Sequence, residues 1–406
     1  MSYDLDIATR VKPEQVHLEV FAALHKGLAL EGRLGDDLTN VTVHKRALFS
    51  RKPLVEVYTP TQAHEPEDFD EDLAKLVPPP CWLTQIAIPG FVKEGIELGI
   101  ELAEHIADKC DGAVFDPQAG TVIWPKEKGS PTAPPSEKAR IREVELEWYI
   151  ASSRSGVEAA RALLMALRKH CPEAVPIRFG EYEPLQGRME SRSDEPFFKA
   201  WEKAGRDTLG MLFFKAKNPC FGGTIDLPGT MPPRAGGTKA GCISLNFDGT
   251  TLYADSQTRE TVSTLFLEVA RALHAFYGRG FVRRDVIVSR GGPAYDGKSE
   301  TYPSGLWRGA WRGVPPVPTW LTWFGPPYNV LVEESLPPDR SVTLPEGVLV
   351  RLGQEPLDLD QLQSLFPALP SRLLSGVQEQ VITLPTGRIV KVSPDVKAAE
   401  FIPPLE

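Results

Sequence analysis

The 406-residue sequence contains no run near the roughly 18 apolar residues that a membrane-spanning helix needs, so no membrane partner is expected. Its N-terminus, Met-Ser-Tyr-Asp-Leu-Asp, carries two acids and no apolar stretch, so an export signal is not expected and a cytoplasmic location is. The five cysteines, Cys81, Cys110, Cys171, Cys220 and Cys242, are odd in number and form no Cys-x-x-Cys pair, which argues for reduced, mostly buried thiols. Histidines 17, 25, 44, 64, 105, 170 and 274 are scattered without zinc-ligand spacing, and His105 beside Glu104 reads as a surface or satisfied core residue. No metal site and no cofactor are expected. A Gly-x-Ser-x-Gly elbow is missing, and no spacing selects a catalytic triad, so the chain reads as a protein without catalysis of its own. Basic residues are in deficit, 45 against 54 acids, which argues against a nucleic-acid partner.

What is present is ordinary globular composition, 42% apolar and 24% charged, at a length that suits two or three domains. The net charge of −9 is unevenly placed. Residues 1–138 hold 14 basic and 23 acidic side chains, so the whole deficit lies there and the remainder is balanced. The 38 prolines, about twice the average share, predict many short elements. Residues 125–137 have four prolines and no apolar periodicity, and read as a linker between a domain at 1–124 and one at 138–406.

Apolar residues at helical spacing predict three amphipathic helices: about Val92 to Lys109, one following a Ser155–Glu158 capping box, and one from near Thr258 to Gly278. Strand-like runs flank each: Trp82–Ile88 with Ala113–Phe115 and Thr121–Trp124, Glu143–Ala151 with Val175–Phe179, and Ser244–Tyr253 with Phe281–Ser289. Asp248-Gly249 reads as a hairpin turn. The strand–helix–strand pattern recurs without visible residue repetition. The expected fold is α+β, two domains with mixed or antiparallel sheets packed by a few helices, ferredoxin-like in character. Residues 341–392 read as a tail of short strands and turns.

Three features could carry function. Gly292 to Ser299 satisfies the phosphate-loop pattern through Lys298, but Pro303 and Gly305 stop the helix that would have to follow, so a polar loop is expected. Glu94, Glu97, Glu101, Glu104 and Asp108 recur at three- and four-residue steps on the first helix, and Glu65, Glu67, Asp68, Asp70, Glu71 and Asp72 crowd one loop. Such charge runs form either a solvated face or a docking face for a basic partner. Residues 306–328 hold four of the eight tryptophans. Trp320 and Trp323 read as core, whereas Trp307 and Trp311, each followed by Arg, read as exposed binding candidates.

The stretch Pro-Thr-Trp320-Leu-Thr-Trp323-Phe-Gly325-Pro-Pro-Tyr328, followed by Gly347-Val-Leu-Val-Arg-Leu-Gly353, resembles the C-terminal part of immunity proteins from bacterial toxin–immunity pairs, including the partners of type VI secretion effectors. Arg178-Phe-Gly180-Glu-Tyr-Glu-Pro184-Leu-Gln186 is similar to a second element of that family. The resemblance covers about residues 140–390 and leaves the acidic first domain outside. It implies a non-catalytic protein that tightly binds a cognate toxin acting in the cytoplasm, a restriction-endonuclease-like nuclease being the closest match. The partner-binding candidates are then Glu65, Glu67, Asp68, Asp70, Glu94, Glu97, Glu101, Glu104, Trp307 and Trp311. An adaptor that loads the effector, and a hydrolase or nucleotide-binding enzyme using Lys298 and Ser299, are the alternative readings, and homodimerisation stays open.

Overall fold

The structure, a computed structural model, describes residues 2–405 apart from 36–39, 47–50, 65–70, 90–92, 117–120, 126–139, 182–184, 190–192, 209, 231–237, 290–291, 296–298, 308, 366 and 384–388. The fold is α+β. Contacts divide the chain into two compact units, Met1–Lys138 with Ser289–Gly291, and Ala139–Val288 with Gly292–Glu406. From residue 126 the expected linker lies outside the described residues.

The first unit runs β1 (Ser2–Thr9), α1 (Gln15–Leu24), β2 (Leu28–Glu31), β3 (Val41–Arg46), β4 (Arg51–Val57), β5 (Thr61–Ala63), α2 (Glu71–Leu76), β6 (Cys81–Pro89), α3 (Lys93–Lys109), β7 (Gly112–Asp116) and β8 (Thr121–Trp124). Its sheet order is β2-β3-β4-β6-β1-β7-β8, with β5 on β6. β6 and β7 are both antiparallel to β1 and flank it, with Leu5 opposite Ile86 and Ile7 opposite Val114. The connection β6–α3–β7 is therefore a split β-α-β around the first strand. Alternation along β1 sends Leu5 and Ile7 to the core that also holds Leu18 and Phe21 of α1 and Leu102, Ala103 and Ile106 of α3. Ala8 joins a smaller cluster with Leu73 and Ala74 of α2.

The second unit runs β9 (Arg140–Ala151), α4 (Val157–His170), β10 (Arg178–Gly180), β11 (Gly187–Arg188), α5 (Glu195–Arg206), β12 (Met211–Lys215), β13 (Cys220–Asp226), β14 (Thr238–Asp248), α6 (Gly249–Ala254), α7 (Ser256–Ala272) and β15 (Tyr277–Ser289). It continues with β16 (Gly292–Ala294), β17 (Leu306–Trp307), β18 (Ala310–Trp311), β19 (Leu321–Phe324), α8 (Tyr328–Val332), β20 (Ser341–Leu344), β21 (Gly347–Arg351), α9 (Leu359–Leu362), β22 (Gly376–Thr383) and β23 (Ile389–Lys397). The main sheet order is β11-β10-β12-β13-β14-β9-β15-β19-β21-β20, and β22 pairs with β23 separately.

The two units trace the same path. In each, the first strand becomes central and is followed by a helix, a run of strands leads to the strand beside it, and a helix crosses to the strand on its other side. Thus β14–α7–β15 splits around β9 as β6–α3–β7 splits around β1. Both crossing helices have 17 residues, and each ends two residues before a non-glycine with positive φ, Asp111 (52°) and His274 (49°). The strand–helix–strand recurrence seen in the sequence belongs to a topology used in both units, built from different side chains.

Several local expectations are corrected. α4 begins after Gly156 with no side-chain cap, because the Ser155 hydroxyl donates to the Ser152 carbonyl at 2.8 Å. Asp248 does not open a hairpin: its carboxylate accepts from Thr250 N–H at 2.9 Å and starts α6, so β14 stops at Asp248 rather than Tyr253. α7 is capped by Asp255, which accepts from Gln257 and Thr258 N–H, and it stops at Ala272, leaving Gly278 inside β15. Of the run Val175–Phe179 only Arg178 and Phe179 are strand, opening β10, and a tight 3₁₀ turn at Pro172–Ala174 precedes them.

α3 seats unusually close to its sheet. A Cβ on Gly95 would lie 2.9 Å from Ile88 Cγ2 and 3.0 Å from the Leu54 carbonyl oxygen, and one on Gly99 would lie 2.7 Å from Ile88 Cδ1. Ile88 is fully buried, so any shift of its side chain must be taken up by the surrounding core. Gly99→Ala gains about 1 kcal/mol of helix propensity but overpacks this contact at about 1–3 kcal/mol. The expected net result is a lower melting temperature, read by thermal denaturation followed by circular dichroism. A higher one would show slack beneath the helix.

Candidate functional site

α3 turns its apolar face inward with Leu102, Ala103, Ile106 and Ala107 buried, so the intervening carboxylates turn outward. Glu94, Glu97 and Glu101 are exposed, Asp108 is exposed near the C-terminal end, and Glu104 is half-buried. The structure thus brings four of the expected binding residues, Glu94, Glu97, Glu101 and Glu104, onto one helix surface. Glu94 pairs with Lys45 of β3, and Glu101 Oε2 lies 3.3 Å from His25 Nε2 just past α1. Lys109 Nζ donates to Asp108 at 3.0 Å. The loop acids Glu65, Glu67, Asp68 and Asp70 lie outside the described residues.

The tryptophan segment departs from expectation. Trp311 is fully buried, and its indole N–H donates to Tyr328 Oη at 2.8 Å. Its ring centroid lies 4.8 Å from Tyr149, 5.0 Å from Phe276 and 5.4 Å from Tyr277. The neighbouring Arg312 did not mark exposure. Pairing of Ala310 with Lys239 and of Thr238 with Trp311 ties this segment to β14 and holds the ring inside. Trp307 lies in β17, but its side chain is outside the described residues. Trp320 and Trp323 are core, as expected, with indole N–H groups donating to Gly353 O at 2.9 Å and Ala275 O at 2.8 Å. Gly325 packs so tightly that a Cβ there would sit 2.1 Å from the Ala275 carbonyl oxygen. The motif residues that carry the family resemblance are therefore a scaffold of buried rings with satisfied donors.

At the phosphate-loop match, Ser299 is buried and its hydroxyl donates to the Asp285 carbonyl at 3.0 Å. Residues 299–304 form no helix, so the N-terminal amides that would hold a phosphate are not provided there, and residues 296–298 lie outside the described residues.

A buried ionic row on β9 went unread in the sequence. Val144, Leu146 and Trp148 enter the helix-facing core, so Glu143, Glu145, Glu147 and Tyr149 share the opposite face. Register places Arg279 of β15 opposite Glu147 and Arg283 opposite Glu143. Arg279 Nε donates to Glu147 at 2.6 Å and its NH1 to Pro303 O at 2.7 Å, while Arg283 binds Glu145. Glu143 accepts from Asn246 at 2.7 Å and from Tyr295 Oη at 2.9 Å. Burial raises the Glu147 pKa but Arg279 outweighs it, so that carboxyl sits below its ordinary value. For Glu145, burial outweighs Arg283 and pushes the pKa up to about 8. Burial also holds the Cys242 thiol protonated. The row fastens three strands. The signal was three acids at every second position of a run whose alternate positions were apolar, matched by two arginines four apart.

A pocket lined by Arg154, Arg271, His274, Trp323 and Glu346 opens at the end of α7. Its Arg271 is committed to Glu268 at 3.0 Å and Glu346 at 2.7 Å. Among the described residues no group of His, Cys, Asp and Glu is placed to hold a metal ion. Among the described residues no helix is long and apolar enough to cross a membrane. The five cysteines are free, four of them buried.

No family model matches the sequence, and no curated protein matches it. Among solved structures, a T6SS (type VI secretion system) protein of Pseudomonas aeruginosa matches with 12% identity and a TM-score of 0.36, over 56% of this chain and 70% of that one.

Asp226, at the end of β13, is pushed up to about 7 by burial. Its folded value exceeds its unfolded one, so the protonated form favours the fold and stability falls as pH rises from about 4 to about 7. Asp226→Asn is expected to remove this loss. The variant should exceed the parent by on the order of 2–4 kcal/mol at pH 8 and match it near pH 4, measured by urea unfolding. Equal stability at pH 8 would place the carboxylate in water.

Proposed function

We propose that the protein is an immunity protein that neutralises a cognate bacterial effector toxin, a cytoplasm-acting nuclease, by tight non-catalytic binding. The observation that carries the reading is the outward row of carboxylates on α3, held on a rigid helix in the unit that bears the whole charge deficit. A nuclease must present a basic cleft to bind phosphates. A preformed acidic surface of complementary shape would enter that cleft and exclude the substrate. Opposite charges speed the encounter, and buried apolar contacts then slow dissociation. The resemblance of about residues 140–390 to immunity proteins supports the same reading and leaves the acidic first domain outside it.

Co-expression with the toxin encoded beside this gene should restore growth to cells that the toxin alone kills. Replacing Glu97, Glu101 and Glu104 by Lys leaves the Lys45–Glu94 pair in place. It should slow association with that toxin by about tenfold or more at low salt and flatten the salt dependence. Stopped-flow fluorescence reads both. An unchanged rate would move the interface off α3, and binding without rescue would favour an adaptor.

A further inference from the structure

Helix α1 is apolar on two faces. Leu18 and Phe21 are buried in the core, as its docking on the sheet requires. Yet Val16, Val20 and Leu24 are 49%, 45% and 71% exposed. They stand four residues apart and form one ridge about 12 Å long. Soluble proteins scatter exposed apolar side chains singly, and a helix apolar on opposite faces is ordinarily covered on both. The ridge does not stand alone. Phe21 and His105 of α3 have ring centroids 5.5 Å apart, and His25 contacts Glu101, so α1 lies directly beside the carboxylate row. Glu14 and Glu19 add exposed acids around α1 itself.

We infer that α1 and α3 together form a docking surface for a basic amphipathic helix of a partner protein. A ridge of residues four apart fits the groove between matching rows on a second helix. Phe21 beside His105, His25 beside Glu101 and His17 beside Cys110 run α1 antiparallel to α3, so an apolar seam packed against Val16, Val20 and Leu24 would bring the flanking positions of that helix over Glu101 and Glu104, where lysine or arginine is the complementary choice. The ridge supplies apolar burial and the carboxylates supply orientation. This deepens the binding reading above and rests on it, naming the chemistry the partner must present.

The probe is a fluorescein-labelled 18-residue peptide of leucine and lysine arranged with helical periodicity, beside a scrambled peptide of the same composition. Fluorescence anisotropy with the full chain should show saturable binding of the periodic peptide and at least tenfold weaker binding of the scrambled one. Val20→Ser with Leu24→Ser should weaken the periodic peptide tenfold or more, with the melting temperature retained because both side chains are exposed. Glu101→Gln with Glu104→Gln should weaken it less and reduce its salt dependence. Equal binding of both peptides, no binding of either, or indifference to the serine changes would overturn the proposal. So would a dimer in sedimentation equilibrium that the serine changes dissolve, because the ridge would then belong to a second copy. If the peptide docks as expected and co-expression gives no rescue, the immunity reading fails while the surface stands. If rescue succeeds and the serine changes alter neither rescue nor peptide binding, the surface fails while the immunity reading stands.

Discussion

The outward presentation of α3 depends on two missing side chains. At Gly95 and Gly99 the helix backbone comes so close to Ile88 and to the Leu54 carbonyl that a methyl group would collide with either. That closeness lets Leu102, Ala103 and Ile106 reach the sheet and settles the rotation of the helix about its own axis. With the inward face settled, Glu97 and Glu101 have only one direction to point. Two glycines in a helix interior cost propensity, and the packed contact beneath them offsets it. The acidic surface is thus a consequence of core geometry as much as of charge.

The same logic runs through the second unit with different side chains. There the helix-facing side of β9 is apolar, and its other side carries Glu143, Glu145 and Glu147 against Arg279 and Arg283. Buried ion pairs add little net stability over apolar packing, but breaking one is costly, so such a row favours a single strand register. Aromatic rings complete the layer, with Trp311 wedged among Tyr149, Phe276 and Tyr277. The second unit reads as a rigid scaffold and the first as the charged surface.

Periodicity revealed the elements and concealed their environment. Helix α3 was legible because Ile96, Ile100, Ala103 and Ile106 recur at its period, and β8 was legible to the residue. Asp248-Gly249 was misread because an aspartate before a glycine serves a helix start as well as a hairpin, and only the chain beyond decides. Trp311 was misread because its neighbour's charge says nothing about which way the ring points once strand pairing is made. The ridge on α1 was present as Val16, Val20 and Leu24, but a short helix apolar on two sides resembles a buried one until its surroundings are known. The topology common to the two units showed in the sequence only as a recurring strand–helix–strand pattern without matching residues, because a chain path is set by which strands pair, and many unrelated side chains satisfy the same pairing.

The central claim is that the helical surface of the first unit meets the toxin. Hydrogen–deuterium exchange on the full chain, with and without the proposed cognate toxin, tests it most directly. The account predicts slowed exchange concentrated in residues 15–24 and 93–109. Protection confined to residues 140–390, with α1 and α3 exchanging as in the free protein, would contradict it.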